Sequence, residues 1–142
     1  MPRQFMYDSV TSLPTVHSLF GDRVMSTGAG EGPEGDGDMP TAPFVIIRAQ
    51  TNQRPVFLPA APEVKVKQQR YQVWVHWQGG DTTPADDLVK ELEDQVPPMA
   101  GVKTSEGNIM ECRWEDTSED GYDDHFKTNT RYVTFLVTYK AP

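Results

Sequence analysis

Apolar residues recur along this chain in two different periods, and the switches between them mark out its elements. Near the N-terminus, Asp8 or Ser9 is placed to cap a turn carrying Val10 and Leu13. Pro14 is tolerated only in a first helical turn, so a second short helix is expected to begin there. Val16, Leu19 and Phe20 give that helix an apolar stripe, and Gly21 is a natural left-handed stop. His17, alone within it, reads as a boundary residue rather than a ligand.

From Phe44 onward the period shortens to two. Phe44-Val45-Ile46-Ile47-Arg48 is β-branched and follows a proline, which predicts a strand buried on both faces. Val64 and Val66 alternate with Lys65 and Lys67, and then Tyr71, Val73, Val75 and Trp77 share one face. The apolar parity changes between Val66 and Tyr71, which predicts a bulge or turn near Gln68-Gln69. Gln72, Trp74 and His76 take the opposite face, and a tryptophan beside a histidine suggests that this face is not wholly solvated.

The clearest helix follows Gly79-Gly80-Asp81. Thr83 is expected to cap it, with Pro84 at the first helical position and Asp86 near the positive end of the helix dipole. Ala85, Leu88, Leu92 and Val96 recur at helical spacing, Val89 widens the stripe, and Pro97-Pro98 ends it. Two strands close the chain. Met110, Cys112 and Trp114 alternate with Glu111, Arg113 and Glu115, and Tyr132, Thr134, Leu136 and Thr138 alternate with Val133, Phe135, Val137 and Tyr139. A hairpin is the economical pairing, with Trp114 and Phe135 expected in the core near Leu88 and Leu92. The whole predicts an α+β fold, a single domain over 1–142 with a twisted, mainly antiparallel sheet and helices on one face.

Composition adds a long Gly/Pro/acidic loop. Residues 28–43 hold almost nothing to bury, and Glu31, Glu34, Asp36 and Asp38 repel one another, so a flexible loop is expected there. Its Gly-x-Gly-x-Gly run is no phosphate loop, because no Lys-Ser or Lys-Thr follows and no strand leads in. The chain has one cysteine, Cys112, which excludes an internal disulfide framework; an inert buried thiol is expected. Its longest strongly apolar run, Phe44 to Ile47, is far too short to span a bilayer, and no membrane partner is expected.

Thirteen Lys and Arg against 21 Asp and Glu give a net charge of −8, which opposes a DNA-binding footprint. Two local patches stand out as a candidate partner interface: a basic stretch, Arg48, Arg54, Lys65, Lys67 and Arg70, and an acidic connection containing Glu115, Asp116, Asp120, Asp123 and Asp124. Lying at a turn tip, the second should tolerate charge reversal without loss of folding. Asp116, Ser118, Asp120 and Gly121 match half of an EF-hand loop, but the position requiring glutamate is Lys127. Asp123, Asp124 and His125 are adjacent and point to alternate faces, so they do not converge on a metal or an acid–base site. The expectation is a protein that is not an enzyme, with no catalytic residue, no cofactor and no metal.

The order of segments carries a resemblance. Leu19-Phe20-Gly21-Asp22-Arg23-Val24 leads through the Gly-Pro loop to Pro43-Phe44-Val45-Ile46-Ile47-Arg48. Val73-Trp74-Val75-His76 precedes Gly80-Asp81 and a helix, then Cys112-Arg113-Trp114-Glu115-Asp116-Thr117-Ser118-Glu119-Asp120 and the strand Arg131 to Tyr139 follow. Over nearly the whole chain this resembles the tail terminator (tail completion) proteins of long-tailed bacteriophages. The resemblance implies a structural virion protein, assembled in the host cytoplasm and placed at the head–tail junction. It implies a homo-hexameric ring that caps the tail tube, stops its polymerisation and offers a surface to the head and neck. The implied partners are further copies of itself, the tail tube protein and a neck or head-completion protein, with DNA only passing through the lumen. The alternatives are a neck or head-closure connector and a small metal-binding or hydrolytic enzyme.

Overall fold

The computed structural model describes residues 3–21, 23–27, 42–50, 54–56, 65–95, 102–104 and 107–140. Its framework is two long antiparallel strands, β4 (Val66–Trp77) and β8 (Thr128–Lys140), paired without interruption from Val66 opposite Lys140 to Trp77 opposite Asn129. Each is flanked by a broken strand. β2 (Phe44–Ala49) and the short β3 (Arg54–Val56) both run along β4, while β6 (Gly107–Thr117) and β7 (Gly121–Asp123) both run along β8. β1 (Val24–Thr27) joins β2 in parallel and β5 (Val102–Thr104) joins β6, so the main order is β1-β2-β4-β8-β6-β5. The expected α+β fold with a mainly antiparallel sheet is observed, with β1–β2 as its parallel pair.

The helices cover one face. α1 (Arg3–Thr11), a π-helical turn at Val16–Phe20 and α2 (Thr83–Gln95) share one core with alternate residues of the sheet. Tyr71, Val73, Val75 and Trp77 of β4 and Val133, Phe135, Val137 and Tyr139 of β8 face it, where they meet Leu88 and Leu92. Such burial is worth about 25 cal/mol per Å2 of apolar surface, which makes this the main stabilising layer. The opposite face carries a smaller cluster of Phe44, Ile46 and Phe126, with Met25, Ala42 and Trp74 partly buried against it. β2 is thus buried on both faces, as its unbroken apolar run predicts.

Several local expectations are corrected. α1 begins at Arg3, so Asp8 and Ser9 lie inside it rather than capping it. Ser9 returns its hydroxyl to the Phe5 carbonyl and Asp8 accepts from Gln4, bonds that let polar residues sit within a helix. β4 has no bulge near Gln68-Gln69; Gln69 takes a core-side position and donates to the Gln50 carbonyl instead. The irregularities lie in β6, between Ile109 and Glu111 and between Trp114 and Asp116. They break the expected alternation: Cys112 is fully buried, whereas Met110 and Trp114 are each 43% exposed. α2 is capped one residue earlier than expected. Thr82 accepts the Asp86 N–H on its carbonyl, and the Asp81 carboxylate accepts the Thr83 N–H. Gly21, at φ 56°, closes the π-helical turn with a bond from its N–H to Val16 O. Of the loop expected over 28–43, only Ala42 and Pro43 are among the described residues; Val64, Val96 and the His17 side chain also lie outside them.

Candidate assembly surface

Strand pairing brings the basic and acidic stretches together within one chain. Arg70 of β4 and Arg113 of β6 lie on either side of Leu136 in β8, on the face away from the helices. The bulge after Trp114 re-aims Glu115 toward β4. Its carboxylate accepts from Arg70 Nε at 2.7 Å and Nη2 at 3.3 Å, a two-pronged contact over a gap of 45 residues in sequence. That hydrogen bond and the Glu115 charge raise the Arg70 pKa above its ordinary value, with Asp116 adding a smaller contribution. Arg48 lies on the same face with its guanidinium 5.7 Å from the Trp74 ring centre, and Trp74 packs at 4.6 Å against Tyr132.

The remaining basic residues sit at the end of the sheet. Arg54 pairs through its backbone with Gln68, Lys67 lies beside Tyr139, and Lys65 is exposed just ahead of β4. Neither lysine has an ion-pair partner among the described residues.

The acidic connection is only partly free. Asp120 bonds to Arg131 of β8, which also reaches Asp86 in the first turn of α2. Burial opposes the Arg131 charge, but the bonds to Asp86 and Asp120 outweigh it and raise its pKa. Asp123 accepts the Phe126 N–H and so shapes the turn between β7 and β8. Asp116 and Asp124 are exposed. Charge reversal at Asp120 therefore disturbs a fastening between α2 and the connection, contrary to the tolerance expected of a turn tip. Arg131→Met is expected to cost about 1–2 kcal/mol, after discounting for the half-exposed carboxylates. A urea titration checks this: the loss should shrink at high salt, and an unchanged midpoint would contradict the geometry.

Among the described residues, Asp123, Asp124 and His125 do not gather with other ligands into a group of three or more that could hold a metal. Cys112 is buried in the helix-facing core, and burial, helped by the Glu111 charge, pushes its thiol up to about 12, far from a reactive thiolate.

Two features escape the sequence pattern. Trp114 lies opposite the fully buried Phe135 yet stands open at the margin of the sheet, where its indole N–H donates to Thr117 Oγ1 at 3.0 Å. Thr117 in turn bonds to Glu93 of α2. His76, on the other face, is 1% exposed and sandwiched: it stacks at 4.4 Å on Phe44 and meets Phe126 edge-on, while Nδ1 is 2.8 Å from Thr128 Oγ1. Its place beside Trp74, on the same face of an alternating strand, was the available signal for the second.

No protein-family model matches the chain, and no curated protein matches it. Among solved structures it is similar to a chain in the virion of a native gene transfer agent (GTA) particle. The sequence identity is 10% and the TM-score 0.65, over 95% of this chain and 91% of that one. At that identity the likeness establishes a shared fold, one that runs through nearly the whole of both chains.

Proposed function

We propose that this protein is a structural virion component, a ring-forming tail terminator that caps the tail tube, stops its growth and provides the surface for joining to the head or neck. The observation that carries the reading is the end-to-end likeness of fold to a chain from a gene transfer agent virion. It agrees with the segment order that resembles tail terminators. The physical requirement is a subunit whose head-to-tail contacts close on themselves, with one ring face that binds the tube and another that does not propagate it.

In this reading the basic and acidic residues from Arg48 to Arg70 and from Glu115 to Asp124 face a ring neighbour or the adjoining ring. Arg70 with Glu115, and Asp120 with Arg131, are already closed within the subunit. The charges left to serve a partner are chiefly Lys65, Lys67, Asp116 and Asp124.

The test is polymerisation of the cognate tail tube protein with and without this chain, followed by electron microscopy. Tubes of limited length with added density at one end are expected. Tubes of unaltered length, with the protein bound to capsid portals instead, would favour a neck connector. Binding to neither would refute a place at the head–tail junction.

A further inference from the structure

Resting on the ring reading, we infer that the helix-free face of the sheet around Arg48, Trp74 and Tyr132 receives the acidic β7–β8 corner of a neighbouring copy. Tyr122 of that copy lies on the aromatic pair, and its Asp124 meets Arg48.

The receiving surface is a sheet face that no described helix covers. Met25, Ile46, Trp74 and Tyr132 stand side by side across β1, β2, β4 and β8, and all but Ile46 are only half-buried. Trp74 is held in place before any partner arrives. It packs against Tyr132 at 4.6 Å, lies under the Arg48 guanidinium, and donates its indole N–H to Gln72 at 3.1 Å. Side chains fixed in this way lose little freedom on binding, and tryptophan, tyrosine and arginine are the types that dominate interfaces.

Arg48 selects the chemistry of the occupant. Its Nε is buried and meets no hydrogen-bond acceptor among the described residues, and its guanidinium forms no ion pair with any of them. The carboxylates of its own face are engaged elsewhere or distant. Glu115 is bonded to Arg70, Glu111 lies against Arg113, and Asp123 accepts the Phe126 N–H. Asp116 is three strands away, about 14 Å at the spacing of a sheet. A buried cationic donor without an acceptor is destabilising, and a carboxylate brought from outside removes the deficit.

The corner offers a carboxylate beside an aromatic ring. Tyr122 is 60% exposed, the most open of the large apolar side chains described. Asp124 and Glu119 are exposed and form no ion pair among the described residues. With Asp120 and Asp123 they stand against Lys127, so the corner stays acidic after Arg131 neutralises Asp120. Pairing of β7 with β8 and the bond from the Phe126 N–H to Asp123 shape it before contact. Tyr122 alternates to the helix side of the sheet, in register with Asn129 and Trp77, whereas Arg48 and Trp74 are on the other side. The two surfaces are unlike and face different ways, which makes the contact head-to-tail, the type that closes into rings.

Sedimentation of the purified full chain, alone and bound to tail tubes, measures the contact. Arg48→Met keeps an apolar stem on Trp74 and removes the charge. It should weaken association about tenfold and leave the melting midpoint of the dilute, unassociated chain unchanged or raised. Tyr122→Ala should weaken association by about the same factor. Arg48→Glu and Asp124→Arg should each weaken it, and the two together should restore part of the lost affinity. Undiminished association in either Arg48→Met or Tyr122→Ala would overturn this contact and leave the ring reading standing. A clear fall in the midpoint of dilute Arg48→Met would overturn it too, since Arg48 would then be answered within its own chain, the acidic 31–38 stretch included. A parent that stops at closed pairs, weakened by the same variants, would uphold the contact and overturn the ring. Absence of any association by the parent chain, alone or on tubes, would overturn both.

Discussion

Phe135→Ala is expected to remove about 3–5 kcal/mol of folding stability, whereas Trp114→Ala, its cross-strand neighbour, should change it by less than about 1 kcal/mol. Both side chains belong to the register pair that ties β6 to β8. Phe135 lies in the centre of the helix-facing core, with no exposed surface, among residues that include Leu88 and Leu92. Truncation there leaves a cavity that close-packed neighbours fill only in part, so lost transfer energy and lost dispersion contacts add together. Trp114 has 43% of its surface in solvent, and its polar contact is to Thr117 near the end of the same strand. Chemical denaturation of the two variants, read by circular dichroism, separates the cases. Equal losses in both would mean that Trp114 contributes to the core as much as Phe135 does.

The difference between these two residues also shows where the sequence stops being legible. Long strands with a buried face were readable because alternation persists over many residues: β2, β4 and β8 are found where the pattern puts them, and so is α2 with Ala85, Leu88, Val89 and Leu92 inward. β6 alternates as regularly on paper, yet two bulges shift its phase, and nothing in the residue types of Met110 or Glu115 announces them. A bulge is decided by the partner strand and by what the displaced side chain finds, here Arg70 for Glu115. α1 was missed for a related reason. Its first residues are Arg3-Gln4-Phe5-Met6-Tyr7, a short apolar run with no visible start signal before Asp8 and Ser9, which look like caps until their hydrogen bonds back along the helix are seen.

The candidate surface was legible as two patches of charge but not as a geometry. Arg70 and Glu115 are far apart in the chain and become neighbours because β8 lies between their strands; Asp120 and Asp86 meet through Arg131 in the same way. Sequence identifies which side chains carry charge, while the sheet order decides which of them neutralise one another before any partner is met. The pairing within the subunit changes the functional argument. An acidic hairpin that appeared free to dock is partly committed to holding α2 and β8 together.

Acidification should expose the second large dependence of stability on a single side chain, His76. Its ring is buried between Phe44 and Phe126, Nδ1 is held by Thr128, and Nε2 has no hydrogen-bond partner among the described residues. Burial is the main cause that lowers its pKa from 6.5 to about 4; the nearby Asp123 carboxylate opposes the shift and Arg48 reinforces it. The folded chain therefore keeps the imidazole neutral where the unfolded chain protonates it. Above pH 6.5 both states hold a neutral ring and the full stability is present. Between pH 6.5 and about 4 the unfolded state binds the extra proton, so stability falls as pH falls, and the loss from this group is complete below about 4. A displacement of this size corresponds to about 3 kcal/mol. Phe126 lies in the β7–β8 turn and Thr128 opens β8, so the acid-weakened contacts are those that seat this corner on the sheet. Urea unfolding of the parent and of His76→Phe at a series of pH values from 7 to 4 isolates the effect, because carboxylates titrate alike in both. The parent should lose about 3 kcal/mol more than the variant across that window. Parallel curves for the two proteins would show that His76 takes up its proton as easily folded as unfolded, and that the aromatic sandwich does not exclude the charge.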